Sequence, residues 1–230
     1  MRLCVIPARG GSKRIPRKNI KEFCGKPMIA WSIEAALQSG CFDRVVVSTD
    51  DVEIAELAAE CGAEVPFLRP AELSDDYTGT KAVIAHVIKR LKLGESAAPV
   101  CCIYATAPFI EPIDIRTGLD KLISTGAKFA FAVTSYPFPI QRAIRLTKGD
   151  RVEMFNPDCF NSRSQDLADA WHDAGQFYWG TVSAWLDESP IFDSHSTAII
   201  LPRYRVQDID TAEDWRQAEL LFSAMKADNN

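Results

Sequence analysis

Short apolar runs alternate with segments of helical periodicity along this 230-residue chain. Runs rich in Val, Ile and Ala, with little internal alternation, predict strands buried on both faces at residues 2–7, 44–48, 100–104 and 129–134. The segments between them space their apolar residues as helices do, from Pro27, over 52–61, over 80–93 and from Pro112 to Gly126. This order predicts a mostly parallel central sheet with helices on both faces, a three-layer Rossmann-like α/β fold.

Residues that precede two of the predicted helices are of types that cap helix N-termini. Thr49 and Asp50 are expected to cap the helix over 52–61, since both residue types are preferred at that position. Thr211 and Asp214 form a capping-box pattern that opens a closing helix. Four residues of the closing helix recur at helical spacing and are interpreted as core: Trp215, Ala218, Phe222 and Met225.

Residues 135–176 break the alternation, because prolines and polar residues replace the apolar runs. Within this stretch, Arg142 to Met154 predict a β-hairpin that turns at Lys148-Gly149-Asp150. We interpret the residues from about 140 to 170 as a small insertion that is used for dimerisation or is part of a lid. Strand signals return at 177–183 and 197–201.

Composition narrows the class of partner. The chain, interpreted as a single domain over residues 1–230, has a formal net charge of −5, which argues against nucleic acid or an anionic membrane. No apolar stretch is long enough to span a bilayer and no signal peptide is evident, so we expect a cytoplasmic protein. The seven cysteines include no Cys-x-x-Cys pair and are expected to be small buried side chains, with Cys101 and Cys102 on opposite faces of a strand.

Residues 8–19 carry the strongest chemical signal of the chain. They contain two adjacent glycines and five cations: Arg9, Lys13, Arg14, Arg17 and Lys18. Glycines let backbone N–H groups approach anionic oxygens closely, and the cations neutralise charge. Because this loop follows the first strand, we predict a polyphosphate site at the carboxyl edge of the sheet. The alternative is an ordinary turn with solvated cations.

Three further segments are expected at the same edge of the sheet. Arg69 to Thr80 leads into a helix and offers hydroxyls and free N–H donors, although a capped helix start also explains it. Tyr104 to Pro108 has small residues that leave room for a ligand. Gln207 to Asp210 is the third segment.

Asp208 and Asp210 predict a metal site. In an extended backbone their carboxylates face the same way, roughly 6.6 Å apart, while Ile209 points into the core. Two carboxylates with substrate phosphates and waters are a common Mg²⁺ donor set. Helix capping by Asp210 or Thr211 is an equally good explanation of the pattern.

Trp171 to Gly180 combine three aromatic rings with a His-Asp pair around Ala174-Gly175. Rings with polar tips suit the face of a carbohydrate. His172 is the histidine expected to contact a ligand, whereas His86 and His195 are expected to be structural or solvated.

Pro7 to Asn19, Arg69 to Leu73, Asp208 to Asp210 and the closing helix together resemble the cytidylyltransferases that activate nonulosonic acids. The resemblance spans nearly the whole chain in order, and the loop motif is highly specific. It is closest to the branch that acts on pseudaminic acid, because His172 to Gly175 stand where sialic acid members carry Arg-Pro-Asn-Gly. Sialic acid members also carry Gln-Pro-Thr-Ser-Pro at the place of Tyr104 to Pro108.

The resemblance implies a nucleotidyltransferase fold and a reaction of CTP with a nine-carbon 2-keto acid sugar, giving a CMP-sugar and pyrophosphate. The implied catalytic residues are Arg9, Lys13, Asp208 and Asp210, with Mg²⁺ held by the two aspartates. The implied nucleotide-binding residues are Ala8, Arg9, Gly10, Gly11, Ser12, Lys13, Lys18, Asn19, Arg69, Thr78 and Thr80. The implied sugar-binding residues are Thr106, Arg142, His172, Asp173, Gln176 and Tyr178.

Several points stay open within this family. The lysine that binds the sugar carboxylate in sialic acid members has no exact counterpart here, and Arg142 is the predicted substitute. The proton acceptor is either Asp208 or a metal-bound hydroxide. The family also implies a homodimer, with residues from about 140 to 170 reaching toward the second copy.

Other functions compete with this one. N-acetylneuraminate or legionaminate is the alternative sugar substrate. More distant alternatives are a glycosyltransferase that uses the Asp-x-Asp pair and a non-catalytic nucleotide-binding module. A dinucleotide dehydrogenase is disfavoured, because no G-x-G-x-x-G follows the first strand.

Overall fold

The computed structural model of the chain describes residues 1–94 and 98–228. Its strands are β1 (Leu3–Pro7), β2 (Glu22–Phe23), β3 (Lys26–Pro27), β4 (Arg44–Ser48), β5 (Val100–Ile103), β6 (Phe129–Ser135), β7 (Ile144–Leu146), β8 (Val152–Met154), β9 (Trp171–Gly180) and β10 (Ser196–Ile200). Its helices are α1 (Met28–Ser39), α2 (Val52–Glu60), α3 (Thr80–Arg90), α4 (Pro112–Thr125), α5 (Val182–Leu186) and α6 (Ala212–Asp228). Among these helices, none is long and apolar enough to cross a membrane.

In the described part of the chain, the central sheet has the strand order β10-β6-β9-β5-β1-β4. β1 pairs in parallel with β4 and β5, and β10 pairs in parallel with β6. β9 runs antiparallel between β5 and β6. The predicted α/β fold with a mostly parallel sheet is therefore confirmed, and the ends of β1, β4 and β5 form one carboxyl edge.

Apolar side chains cover both faces of the sheet. Cys101 packs in a cluster with Ile6 on one face, and Cys102 packs in a second cluster with Val5 on the other. The predicted opposite orientation of the two cysteines is confirmed. All seven cysteines lie in the described residues and are free thiols. The expectation that all are buried was wrong for three of them, because Cys24, Cys61 and Cys159 are partly exposed.

A third apolar cluster joins the loop after β1 to α6. Ile15 from the loop and Ile209 from the segment before α6 are both buried in it. Its buried aromatic members come from β2, α6 and the loop between β5 and α4, and the predicted core residues Trp215, Ala218 and Phe222 belong to it, with Met225 packed against them. Because the two segments share an apolar base, their polar residues are held on the same side of the molecule.

The cap of α2 differs from the sequence prediction. Asp51, one residue after the predicted pair, accepts a hydrogen bond from the Ile54 N–H at 3.0 Å and is the N-cap. Thr49 accepts from the Asp51 N–H instead, at 3.1 Å. Asp50 accepts from the Gly10 N–H at 3.0 Å, so its carboxylate ties α2 to the loop after β1.

Two predicted boundaries were also wrong. The strand expected over 177–183 begins at Trp171 and ends at Gly180, because β9 pairs with β6 through its polar residues as well. The helix expected over 80–93 ends at Arg90, where Leu91 caps it and Lys92 has a φ of 55°. Both errors arise where pairing or packing, not periodicity, sets the end of the element.

A two-stranded antiparallel hairpin, β7 with β8, lies inside the predicted insertion. Gly149 and Asp150 both have positive φ, 75° and 56°, and the Thr147 N–H closes the turn by donating to the Arg151 carbonyl at 2.8 Å. The residues of β7 are exposed on every side. Its use in dimerisation stays a prediction.

We predict that Asp51→Ala lowers the free energy of unfolding by about 1 kcal/mol, because the α2 cap is lost. Asp51 also pairs with Arg17 at 2.5 Å, and this guanidinium lowers the pKa of the Asp51 carboxyl below its usual value. The stabilisation is therefore present above the unfolded-state pKa, about 4, and is lost as the pH falls through the folded pKa. Urea unfolding at several pH values measures both effects.

Glu53→Gln is the matched control, because Glu53 also pairs with Arg17 but is more exposed than Asp51 and does not accept the capping hydrogen bond of α2. Since exposed pairs of this kind usually contribute well under about 1 kcal/mol, Glu53→Gln should cost about 0.5 kcal/mol or less. Equal losses for Asp51→Ala and Glu53→Gln, or no change of the Asp51 effect with pH, would contradict the account.

Candidate active site

The carboxyl ends of β1 and β5 open into a cleft of about 590 Å³. We call residues 8–19 the basic loop; this loop, the segment from Arg69 to Thr80 and the end of the segment before α6 all line the cleft. The predicted site residues that line it are Arg9, Ser12, Lys13, Lys18, Asn19, Arg69, Thr78, Thr80, Thr106 and Asp210. Ala8, Gly10 and Gly11 build the loop backbone and are not among the residues that line the cleft.

Two hydrogen bonds fix the basic loop at its ends. The Ala8 N–H donates to the Ser48 carbonyl at 2.9 Å, which extends the pairing of β1 with β4. The side-chain amide of Asn19 is buried and donates to the Arg9 carbonyl at 2.9 Å, so the loop closes on itself. Hydrogen bonds therefore hold both ends of the loop in place.

Gly10 lies where the basic loop touches α2. A Cβ atom added to Gly10 would lie 2.6 Å from Asp51 Oδ2 and 2.9 Å from Asp51 Cβ, which is too close for any side chain. A Cβ atom added to Gly11 would have no atom within 4 Å from any described residue other than Gly11 and its two chain neighbours. The first glycine of the pair is needed for packing, and the second is not.

The Asp76 carboxylate pairs with two cations of the basic loop, Arg9 and Lys13. Arg9 pairs with Asp76 at 2.5 Å and also donates to the Asp75 carbonyl at 3.1 Å. Lys13 contacts the other oxygen of Asp76. Both cations thereby lower the pKa of the Asp76 carboxyl, with the Lys13 hydrogen bond as the larger cause. Any phosphate that binds these cations competes with Asp76.

The remaining cations divide between two places. Arg14 and Lys18 both contact Asp210, at 2.8 and 3.2 Å, and Lys18 also donates to the Ile209 carbonyl at 2.7 Å. Arg17 pairs with Asp51 and is not among the residues that line the cleft. Four of the five loop cations thus line the cleft, and the fifth holds the loop on α2.

Thr211, not Asp210, caps α6. Its hydroxyl accepts from the Asp214 N–H at 3.2 Å, while the Asp214 carboxylate accepts from the Thr211 N–H at 2.7 Å, so the predicted capping box is formed. Asp210 is left to face the cleft and its cations. The alternative that Asp210 serves as the helix cap is thereby removed.

Asp208 lies on a second cavity of about 470 Å³, lined also by Tyr104, His172, Asp173, Gly175 and Gln207. Partial burial raises the pKa of the Asp208 carboxyl, and the nearby charge of Asp210 raises it further. Among the described residues, the Asp208 carboxylate has no hydrogen-bond or ion-pair partner, and no group of three His, Cys, Asp or Glu side chains is placed to hold a metal.

Two of the predicted sugar residues line this second cavity. His172 contacts the Asp173 carbonyl through Nδ1 at 2.9 Å, and its ring lies 4.8 Å from that of Tyr136. Asp173 accepts from the Gly175 N–H at 3.0 Å and from the Tyr178 hydroxyl. The carboxylate is therefore held in one orientation at the cavity wall.

The other predicted sugar residues lie elsewhere. Tyr178 is buried behind Asp173, and Gln176 is 3% exposed, with its Nε2 donating to the Arg205 carbonyl at 2.6 Å and its Oε1 lacking a partner in the described part of the chain. Thr106 lines the first cleft. Arg142 is exposed at the end of a short 3-10 helix and is not among the residues that line the two cavities.

One wall of the first cleft is shaped by side chains of the segment before α3. Arg69 is 5% exposed and lies 3.7 Å from Asp50. Thr78 donates to Asp75 through both its N–H and its hydroxyl, each at 2.7 Å. The Thr80 hydroxyl lies 3.2 Å from that of Tyr104.

Comparison with known proteins identifies the family. The profile of the family described as Cytidylyltransferase matches residues 3–214. The chain belongs to this family. The pseudaminic acid cytidylyltransferase of Campylobacter jejuni subsp. jejuni serotype O:2 is 51% identical over 96% of this chain and 95% of its own length.

Two less similar proteins also match this cytidylyltransferase over nearly its whole length. The CMP-N,N'-diacetyllegionaminic acid synthase of Legionella pneumophila is 32% identical over 96% of this chain and 95% of its own length. The solved structure of CMP:2-keto-3-deoxy-manno-octonic acid synthetase complexed with CTP matches with a TM-score of 0.72 and 18% identity, over 97% of this chain and 99% of that one. The structural match supports the fold.

Three residues at or next to the site of this cytidylyltransferase were not predicted to belong to it: Asp50, Asp76 and Tyr104. Asp50 follows β4 directly, at the edge where sites of parallel sheets lie, so its position was a usable signal. Asp76 gave no signal, because an acidic residue is not expected beside phosphate-binding cations. Tyr104 was noticed only as the start of a segment of small residues, although it lines both cavities.

We predict that Gly10→Ala lowers the free energy of unfolding by about 1–3 kcal/mol, the usual cost of overpacking, because the new methyl group meets Asp51. Gly11→Ala is the matched control and should change it by less than about 0.5 kcal/mol. Thermal and urea unfolding of both variants measure the difference. Equal stability of the two variants would contradict the described contact between the loop and α2.

Proposed function

We propose that this protein transfers the cytidylyl group of CTP to pseudaminic acid, giving the CMP-sugar and pyrophosphate. One observation carries the proposal: Lys13 and Asp210 line one cleft, in a chain 51% identical to a protein named pseudaminic acid cytidylyltransferase. The partners in the reaction are CTP and a nine-carbon 2-keto acid sugar, with no role for nucleic acid or a membrane.

The basic loop is the proposed triphosphate site. Arg9 and Lys13 exchange Asp76 for phosphate oxygens, and the N–H groups of the loop lie beside them. Arg69 and Thr80 are the proposed contacts for the cytosine or ribose. Catalysis of phosphoryl-type transfer consists mainly of positioning and charge stabilisation, which fixed cations provide.

Asp208 and Asp210 are the proposed ligands of Mg²⁺. Their side chains fit this ion, because two carboxylates with substrate phosphates and waters complete its oxygen shell. The pKa of Asp208 is raised by burial and by Asp210, and this repulsion is relieved by a bound cation. When bound, Mg²⁺ would neutralise phosphate charge and act as a Lewis acid toward the transferred phosphoryl group.

The second cavity is the proposed acceptor site. The sugar lies against His172 and Asp173, and its anomeric hydroxyl attacks the α-phosphorus as pyrophosphate leaves. Asp208 lines this cavity whereas Asp210 lines the first. Asp208, the carboxylate on the acceptor side, is the proposed acceptor of the hydroxyl proton.

Another nonulosonic acid is the alternative substrate. The identity of 32% to a legionaminic acid enzyme supports legionaminate, and N-acetylneuraminate is the other candidate. A panel of nonulosonic acids with CTP and Mg²⁺, scored for pyrophosphate and CMP-sugar, tests the proposal. We expect the highest kcat/KM for pseudaminic acid.

Lys13→Ala and Asp210→Asn should each lower kcat in that assay by at least about 100-fold, because each removes charge stabilisation from the reacting phosphates. Lys89→Ala on α3 is the control for loss of a positive charge at an exposed position. Wild-type kcat in both site variants would contradict the mechanism. Turnover of a nucleotide sugar, or binding of CTP without Mg²⁺ dependence or turnover, would instead favour a glycosyltransferase or a binding module.

A homodimer is part of the proposal. Apolar side chains in the insertion and just before it are exposed, with Phe138 at 78%, Leu146 at 71% and Phe160 at 66%. Because exposed apolar side chains that lie together mark interaction surfaces, and a two-stranded hairpin is marginally stable alone, a second copy is the proposed cover for both. The seven free thiols support a reducing compartment, and we propose the cytoplasm.

Light scattering should give twice the mass of one chain, and Phe138→Ser with Leu146→Ser should shift the protein toward the monomer. Leu220→Ser, at an exposed apolar position on α6, is the control and should leave the mass unchanged. A monomeric wild-type protein at micromolar concentration would contradict the proposed dimer.

A further inference from the structure

Tyr104 is fixed from both sides at the carboxyl end of β5. Its N–H donates to the Gln176 carbonyl of β9 at 2.9 Å, and its carbonyl accepts from the Ser32 hydroxyl of α1 at 2.7 Å. The ring lies 5.2 Å from that of Tyr178, which is buried. The backbone of Tyr104 is therefore held by β9 and α1, and its ring packs against a residue of β9.

The same ring lies between the two cavities. Tyr104 lines the first cleft together with Lys13 and Asp210, and it lines the second cavity together with Asp173 and Asp208. The hydroxyl reaches the side of the first cleft, where it meets the Thr80 hydroxyl at 3.2 Å. Across from it, Asp208 and Asp210 are two residues apart and line one cavity each.

We propose that Tyr104 is a positioning residue for cytidylyl transfer, whose ring sets the approach of the acceptor sugar to the nucleotide and keeps water from the same place. This inference rests on the proposed function. The new bond must form where the two cavities meet, and Tyr104 is the side chain common to both walls within residues 1–94 and 98–228.

Two effects follow from a rigid wall at this junction. It holds the acceptor oxygen in line with the α-phosphorus, and small displacements in such geometry reduce rates strongly. It also excludes water, which could replace the sugar as the acceptor. In that side reaction the water oxygen bonds to the α-phosphorus, the bond to pyrophosphate breaks, one water proton passes to solvent, and CMP forms.

The ring and the hydroxyl have separable roles. Tyr104→Phe keeps the wall and loses the contacts of the hydroxyl with Thr80 and Tyr178, so kcat/KM for the sugar should fall by at most about tenfold, as expected for neutral hydrogen bonds. Tyr104→Ala removes the wall and should lower kcat/KM for the sugar by roughly 100-fold. The KM for CTP should stay near the wild-type value in both variants.

The decisive readout is the ratio of CMP to CMP-sugar formed from CTP, Mg²⁺ and pseudaminic acid, measured by mass spectrometry. We expect this ratio to rise in Tyr104→Ala and to stay at the wild-type value in Tyr104→Phe. Tyr204→Ala, at an exposed tyrosine, is the matched control. Thermal unfolding verifies each variant, and Tyr104→Leu, with the same expectations, replaces Tyr104→Ala if the latter does not fold.

Three results would overturn the inference. They are a wild-type product ratio in Tyr104→Ala, a loss in Tyr104→Phe as large as in Tyr104→Ala, and equal losses toward CTP and sugar in a folded Tyr104→Ala. A wild-type enzyme that makes no CMP-sugar would refute the proposed function itself. An active wild type with an unchanged ratio in Tyr104→Ala would refute the role of Tyr104 alone.

Discussion

The contact of Lys18 with the segment before α6 is the interaction on which the site depends. Its ammonium group donates to the Ile209 carbonyl at 2.7 Å and contacts the Asp210 carboxylate at 3.2 Å, joining parts of the chain 191 residues apart. Beneath this contact, Ile15 and Ile209 share one apolar cluster. Burial of these side chains and the charge pairing above them act together, so the loop cations and the carboxylates are held face to face.

Charge balance is consistent with the proposed triphosphate site in an acidic protein. The basic loop concentrates positive charge in one cleft, and Asp76 and Asp210 neutralise it there. A phosphate group that replaces Asp76 exchanges one anion for another, so the cations are never left unpaired. Because Asp76 is exposed and exposed ion pairs are weak, little free energy is lost when its pairs with Arg9 and Lys13 are broken.

Local rules predicted the features that depend on neighbouring residues. The buried strands, the capping box of α6 and the buried position of Ile209 follow from periodicity and residue type. The cap of α2 was misplaced, because Thr49, Asp50 and Asp51 are all good caps and the contact of Asp50 with Gly10 decides among them. The contacts of Asp76 with Arg9 and Lys13 could not be predicted from local rules, because these residues precede Asp76 by 67 and 63 positions in the sequence.

A crystal structure with CTP and Mn²⁺ tests the central claim most directly, since anomalous scattering locates the metal ion independently of the phosphates. The account predicts the triphosphate on Arg9 and Lys13 in place of Asp76, and a metal peak within bonding distance of the Asp208 and Asp210 carboxylates. A triphosphate bound away from the basic loop, or a metal bound without either aspartate, would contradict it.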